Sequence, residues 1–169
     1  KLKFDPYQSV SDLLKEKSDF IDLILSCCWQ HFLGPHARQL SLCAVGGYGR
    51  RELFPHSDID IIILLDSTNT TPYQEALANL FTFLWDIGLK PGHSVRTITE
   101  CVAAALDDQT IMTSLMEISL IAGSTALYEA LKLRITPDKI WPSDQFFAAK
   151  MEEQRLRYAK FHDTAYNLE

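Results

Sequence analysis

The sequence predicts an α+β domain: a small sheet with flanking helices and a helical C-terminal extension. Three observations predict it. Apolar residues recur at three- and four-residue spacing over most of the chain. Only a few short stretches switch to the alternating or continuous apolar pattern of strands. The helices that follow are too many for a long doubly wound sheet.

The elements follow in order. Ile21, Ile24, Leu25, Cys28 and Phe32 form one apolar helical face, which Gly34-Pro35 ends. Leu40, Leu42 and Ala44 alternate with Ser41 and Cys43, which predicts a strand of about five residues. Gly46 to Leu53 reads as a tight connection. Ile59 to Leu65 is a strongly β-branched strand, apolar on both faces and therefore central. Pro72 can open a helix whose stripe is Leu77, Leu80, Phe81, Leu84 and Ile87, stopped by Gly88. After the turn-like Lys90-Pro91-Gly92, Val95 to Ile98 reads as another short strand.

From Thr99 onward the pattern is helical, with Thr99, Thr110 and Ser124 as candidate caps. Met112, Leu115, Met116 and Ser119 share one side. Pro137 and Pro142 break the run around Trp141, and Phe146 to Tyr158 resumes a charged helix. The segment Glu152-Glu153-Gln154-Arg155 with Arg157 reads as a solvated or docking face. The three tryptophans, Trp29, Trp85 and Trp141, sit among apolar residues and are expected in the core or helix seams. The organisation expected is a helical segment at 1–36, a core at 37–109 and a helical extension at 110–169.

Bulk properties narrow the function classes. A chain of 169 residues, 47% hydrophobic, suits one domain and argues against disorder. The apolar runs are too short to cross a bilayer, and no signal peptide is evident. The formal charge of -6 implies no broad basic surface for nucleic acid. Cys27, Cys28, Cys43 and Cys101 lack ligand spacing and read as buried free thiols, which fits a reducing, cytoplasmic compartment.

Chemistry concentrates in the string Val45-Gly46-Gly47-Tyr48-Gly49-Arg50-Arg51-Glu52-Leu53-Phe54-Pro55-His56-Ser57-Asp58-Ile59-Asp60. Paired glycines after a strand let the backbone turn sharply and approach a ligand, and the exposed N–H groups there can hold phosphate oxygens. Taken alone the glycines could equally be a structural turn. Asp58 and Asp60 change the weighing. Two residues apart at a strand mouth, they project from one face with Cα atoms roughly 6.6–7 Å apart, so their carboxylates can converge on one Mg²⁺ or bridge two; the alternative is that they merely end the strand in water. Aiming two like charges together near an apolar strand is unfavourable without a cation.

This stretch resembles the Gly-Gly, then Asp-x-Asp signature of polymerase-beta-type nucleotidyltransferases. More narrowly, it resembles the bifunctional PII uridylyltransferase/uridylyl-removing enzyme family. The resemblance continues through Leu84-Trp85-Asp86-Ile87-Gly88-Leu89, Gly92-His93-Ser94-Val95-Arg96-Thr97, Trp141-Pro142-Ser143-Asp144, Ala148-Ala149-Lys150, Glu152 and Tyr166-Asn167-Leu168-Glu169. It implies a polymerase-beta-type sheet and Mg²⁺-dependent transfer of UMP from UTP to a tyrosyl hydroxyl of the PII nitrogen-regulatory protein, releasing pyrophosphate. It also implies HD and ACT domains in the full-length chain, neither of which is present in these 169 residues.

Residue by residue, the resemblance carries the glycine turn to Gly46 and Gly47 and the metal-binding, catalytic carboxylates to Asp58 and Asp60. The superfamily's third acid would fall on Ser94-Val95-Arg96, where none stands, and the general base is unassigned; Glu100, Asp107 and Asp108 are candidate helpers or surface and cap residues. Arg50 is a candidate phosphate ligand or a partner of Glu52 or another acid. Arg96 and Ser94 are further candidates for the nucleotide, or for structural pairing. His56 and His93 are expected to be structural. Arg51 departs from the close family, which usually has glycine there, and is a candidate to touch phosphate or simply to face solvent. Metal carboxylates read phosphate and not the base, so transfer of another nucleotide such as AMP stays open, as does a catalytically silent binding or regulatory module.

Overall fold

The computed structural model describes residues 9–136, 140 and 143–160. Trp141, both flanking prolines Pro137 and Pro142, and the Tyr166–Glu169 motif lie outside the described residues.

Helix α1, Val10–Leu33, starts where the Ser9 side chain accepts the Asp12 N–H, and stops at Gly34, whose φ of 49° no β-carbon favours. A 3₁₀ turn, Gly34–His36, leads to strand β1, Ser41–Ala44. The glycine connection is itself a single helical turn, α2, Gly46–Gly49. Then come β2, Asp60–Leu65; α3, Gln74–Asp86; β3, Gly92–Thr97; α4, Ile98–Asp107; and α5, Gln109–Met116. Strand β4, Ser119–Gly123, and helices α6, Thr125–Arg134, and α7, Ser143–Lys160, complete the described chain.

The sheet order is β3-β2-β1-β4. β1 runs antiparallel to both β2 and β4, and β2 runs parallel to β3, reached through the crossover helix α3. This mixed four-stranded sheet with flanking helices is the α+β class expected. Strand alternation splits β2 between two cores. Ile61, Ile63 and Leu65 join Leu42 and Ala44 against α1 and α3, around Trp29 and Leu80. Ile62 and Leu64 join Cys43 against Cys101, Ala105, Met112, Leu115 and Leu131 of α4, α5 and α6. Each residue from Ile61 to Leu65 is at most 3% exposed, worth about 1.5–3 kcal/mol apiece in transfer terms.

The structure corrects several expectations. The stretch from Thr99 is not helical throughout: Ser119–Gly123, with Ser119 expected on a helix face, is the edge strand β4. Its fifth residue, Gly123, has φ 98°, and a β-carbon there would overlap the Leu40 carbonyl oxygen. The caps shift by two residues. Thr97, not Thr99, caps α4 in a reciprocal capping box with Glu100; Asp108, not Thr110, caps α5 by accepting the Thr110 N–H at 2.7 Å; Ser124 caps α6 as expected. β3 begins earlier than Val95 and ends before Ile98, which opens α4. Trp29 is fully buried and donates from Nε1 to the Ala37 carbonyl at 2.9 Å, but Trp85 is 55% exposed, on the outer side of α3.

The thiols divide as well. Cys27 is exposed, contrary to expectation, while Cys28, Cys43 and Cys101 are buried. Burial pushes the Cys43 thiol up to about 12 and Cys101 up to about 11, suppressing the reactive thiolate. At pH 7 a thiol-specific reagent is therefore expected to label Cys27 rapidly in the native protein, and Cys43 and Cys101 only after denaturation. Native labelling of Cys43 at the Cys27 rate would contradict the packing of β1 against α4 and α5.

Candidate active site

The site is assembled at one end of the two inner strands. β1 runs into α2, and antiparallel pairing sets Ala44 opposite Ile61. One residue on, the Val45 N–H donates to the Asp60 carbonyl at 3.1 Å, fastening the start of the glycine turn to the head of β2. Gly46 has φ 58°, in the left-handed region that favours glycine. Glu52 N–H donates back to the Gly47 carbonyl at 2.9 Å, and buried Leu53 pins the returning loop in the core. The backbone turns again where Ser57 N–H donates to the Phe54 carbonyl at 3.1 Å, and Asp58 then approaches the strand. Glycine bend and carboxylates thus meet at the same end of the sheet.

Asp60 is the first residue of β2. Partial burial pushes its carboxyl above the ordinary range, and the Asp58 charge pushes it in the same direction. Among the described residues, neither carboxylate has a hydrogen bond or ion pair. Two unneutralised, mutually repelling carboxylates fit a divalent cation. No group of three or more His, Cys, Asp or Glu side chains converges among the described residues. Mg²⁺ needs no such cage, because it takes one or two carboxylates and completes its shell with water and substrate phosphates.

The other candidates are distributed unevenly. In the parallel register Gly92 lies beside Asp60, Ser94 beside Ile62 and Arg96 beside Leu64. Parallel partners share a face, so Ser94 follows Asp60 on the same side, whereas Arg96 stands four strand residues deeper, roughly 13 Å along. Arg96 lies close enough to Glu100 to favour its ionised form, after the two bonds from Thr97 that dominate there. His93 points to the opposite face and stacks on Phe81 with centroids 3.7 Å apart, a structural place. Glu100 is engaged in the α4 capping box and Asp108 in the α5 cap.

Arg50 is paired with acids in this structure: its Nε donates to Glu52 at 2.8 Å and its Nη1 meets Glu117 at 2.5 Å. These bonds hold its guanidinium charged and tie the glycine turn to the end of α5. On the other side, Tyr48 donates its hydroxyl to Asp22 at 2.5 Å. Arg51 pairs with Asp22 at 3.1 Å and with Asp19, so the turn is moored to α1. Glu117 and Asp22 could not be singled out from the sequence, since only the fold brings them to the turn.

Arg51 itself has φ 65°, and among the described residues it is the one non-glycine residue with positive φ. This explains the departure noted in the sequence: the position calls for glycine, and arginine occupies it with ion pairs in compensation. Replacing Arg51 by Ala is expected to destabilise, because the pairs are lost and the strain is kept. Gly at the same place should exceed Ala in stability by about 1 kcal/mol. Urea unfolding of the two variants checks this; equal midpoints would remove the strain argument.

Comparison with known proteins bears on this geometry. The chain is 52% identical over 160 residues to a Methylococcus capsulatus protein named bifunctional uridylyltransferase/uridylyl-removing enzyme, covering 95% of this chain and 18% of that protein. Proteins of the same name from Vibrio atlanticus and Aliivibrio fischeri are each 45% identical, over 169 and 166 residues, covering 100% and 98% of this chain and 19% of each relative. The chain belongs to the bifunctional uridylyltransferase/uridylyl-removing enzyme family. It spans about a fifth of the length of these family members. No family model matches. Among solved structures, a toxin-antitoxin crystal structure with AMP-PNP matches 79% of this chain and 92% of its own, at 16% identity and a TM-score of 0.39, too distant to inform the site. Among the described residues no helix is long and apolar enough to cross a membrane.

Proposed function

We propose that this chain carries the uridylyl-transfer site of its family: Mg²⁺-dependent transfer of UMP from UTP to a tyrosyl hydroxyl of the PII nitrogen-regulatory protein, with release of pyrophosphate. The observation that carries the reading is the pair Asp58 and Asp60, whose carboxylates have no partner among the described residues, with the Asp60 backbone fastened to a glycine bend by the Val45 N–H. The names of the relatives supply the nucleotide class.

Asp58 and Asp60 would hold Mg²⁺. When bound, it neutralises charge on the triphosphate and on the departing pyrophosphate. The glycine bend lets backbone N–H groups of Gly46 and Gly47 approach phosphate oxygens without side-chain obstruction. Ser94, next along the Asp60 face, is placed to donate a hydrogen bond. Arg50 uses Nε on Glu52 and Nη1 on Glu117 to brace the turn, and its Nη2, beside Gly47, is left to donate to phosphate. The tyrosyl oxygen forms the new bond to the α-phosphorus as the bond to the β-phosphate oxygen breaks. Direct transfer needs no enzyme nucleophile. PII, UTP and the cytoplasm belong to this proposal, as do the HD and ACT domains of the full-length protein.

The test supplies the chain with Mg²⁺, PII and each of the four nucleoside triphosphates, and reads the mass of PII. Uridylylated PII that disappears when Mg²⁺ is chelated is the expected result. Exclusive adenylyl addition would overturn the choice of UTP. Tight Mg-UTP binding without transfer would assign nucleotide binding here and place acceptor docking elsewhere in the longer protein. Absence of Mg²⁺-dependent nucleotide binding would leave a silent module.

A further inference from the structure

β2 and β3 start together, with Asp60 and Gly92 as lateral partners in the parallel ladder. Parallel partners send their side chains to the same face, so a side chain at 92 and the Asp60 side chain compete for one volume. A β-carbon built on Gly92 would overlap Asp60 Oδ1 and lie 3.6 Å from its Cγ. The carboxylate therefore occupies the space that any other residue at 92 would fill.

Ordinary reasons for glycine do not apply there. Gly92 is not among the glycines with positive φ, which are Gly34, Gly46, Gly88 and Gly123. It is exposed, so no packed core demands its small size. Glycine within a strand is a cost, in entropy and in lost packing. Its neighbours also distinguish it from Gly49 and Gly123, where an added β-carbon meets immovable backbone; at Gly92 it meets only a side chain.

We propose that Gly92 is a positioning residue: its missing side chain lets the Asp60 carboxylate lie against β3 in the place from which it shares a divalent cation with Asp58. The proposal rests on the transferase reading above. It assigns specificity of geometry to a residue that touches neither nucleotide nor metal.

Gly92→Ala in the full chain tests it, with Mn²⁺ alone as the binding probe, read by electron paramagnetic resonance, alongside transfer to PII and thermal melting. The melting temperature should stay or rise, because alanine suits a strand better than glycine. Mn²⁺ affinity and turnover should each fall about tenfold or more, the range seen when a residue orienting a metal ligand is changed. Combining Gly92→Ala with Asp60→Ala should cost nothing beyond Asp60→Ala alone, since both act through one carboxylate. A merely structural glycine would give additive losses, and that result, or Mn²⁺ binding and turnover within about twofold of the parent, overturns the proposal. Should Gly92→Ala melt early, relief of that defect by Asp60→Ala upholds the steric conflict and failure to relieve it refutes it. Retention of Mn²⁺ binding and transfer by Asp60→Ala alone would sink the transferase reading and this inference together, which separates that failure from a failure of Gly92 only.

Discussion

Asp60→Ala is expected to lower uridylyl transfer by about three orders of magnitude while leaving the melting temperature unchanged or slightly raised. The two halves come from the same observation. The Asp60 carboxylate has no partner among the described residues, is partly stripped of water at the head of β2, and feels the like charge of Asp58. Removing it takes away no hydrogen bond or ion pair and relieves a repulsion, so the fold loses nothing. Removing it also halves the charge available to a cation, on which charge neutralisation in the transition state depends. Asp58→Ala should behave alike, and Asp60→Asn should be nearly as poor, because shape without charge does not hold Mg²⁺. Mass analysis of PII under saturating Mg-UTP, with melting curves on the same preparations, decides it. Parent-like turnover in Asp60→Ala would remove the carboxylate pair from the chemistry.

Local signals made much of this site legible in the sequence. β2 is a run of β-branched and leucine residues whose burial pattern needs only the strand period, and the glycine bend and Asp58–Asp60 lie within one short string. What escaped depends on contacts between distant segments. β4 sits between two helices as five half-buried residues, and nothing in its own composition marks it; its reason is the bonding edge of β1. The caps slipped because each helix offers two polar residues near its start, and backbone direction at Thr97 and Asp108 chooses between them. Trp85 was drawn inward by its apolar neighbours, but the α3 face that packs belongs to Leu77, Leu80 and Leu84. Arg50 had equal claims on phosphate and on an acid; Glu117, arriving from the end of α5, completes the acid pairing. The role of Gly92 has no sequence signature, since it exists only in the register between β2 and β3.

Gly49→Ala is expected to destabilise the protein by about 2–4 kcal/mol, against the helix-propensity expectation of a gain near 1 kcal/mol. Gly49 closes α2, and a β-carbon there would overlap the Glu117 carbonyl oxygen, lie 2.9 Å from the Glu117 carbonyl carbon and 3.2 Å from the Ala44 oxygen. None of these atoms can yield cheaply. Glu117 is held between Leu115 and Ile118, both buried, and Ile118 N–H donates to the Leu115 carbonyl at 3.3 Å before β4 begins. Ala44 is the last residue of β1 and fully buried. The turn must therefore move instead, loosening the Arg50–Glu117 pair and the Val45–Asp60 bond, so nucleotide binding should fall with stability. Gly47→Ala is the matched control. Its added β-carbon would meet Arg50 Nη2 and the Glu52 oxygen at 3.9 Å, ordinary contact distances, so its stability should equal or exceed that of the parent. Urea unfolding of both variants separates the two glycines. If Gly49→Ala unfolds at the same urea concentration as Gly47→Ala, then α2 does not abut α5 as closely as described, and the bracing of the glycine bend by α5 falls with it.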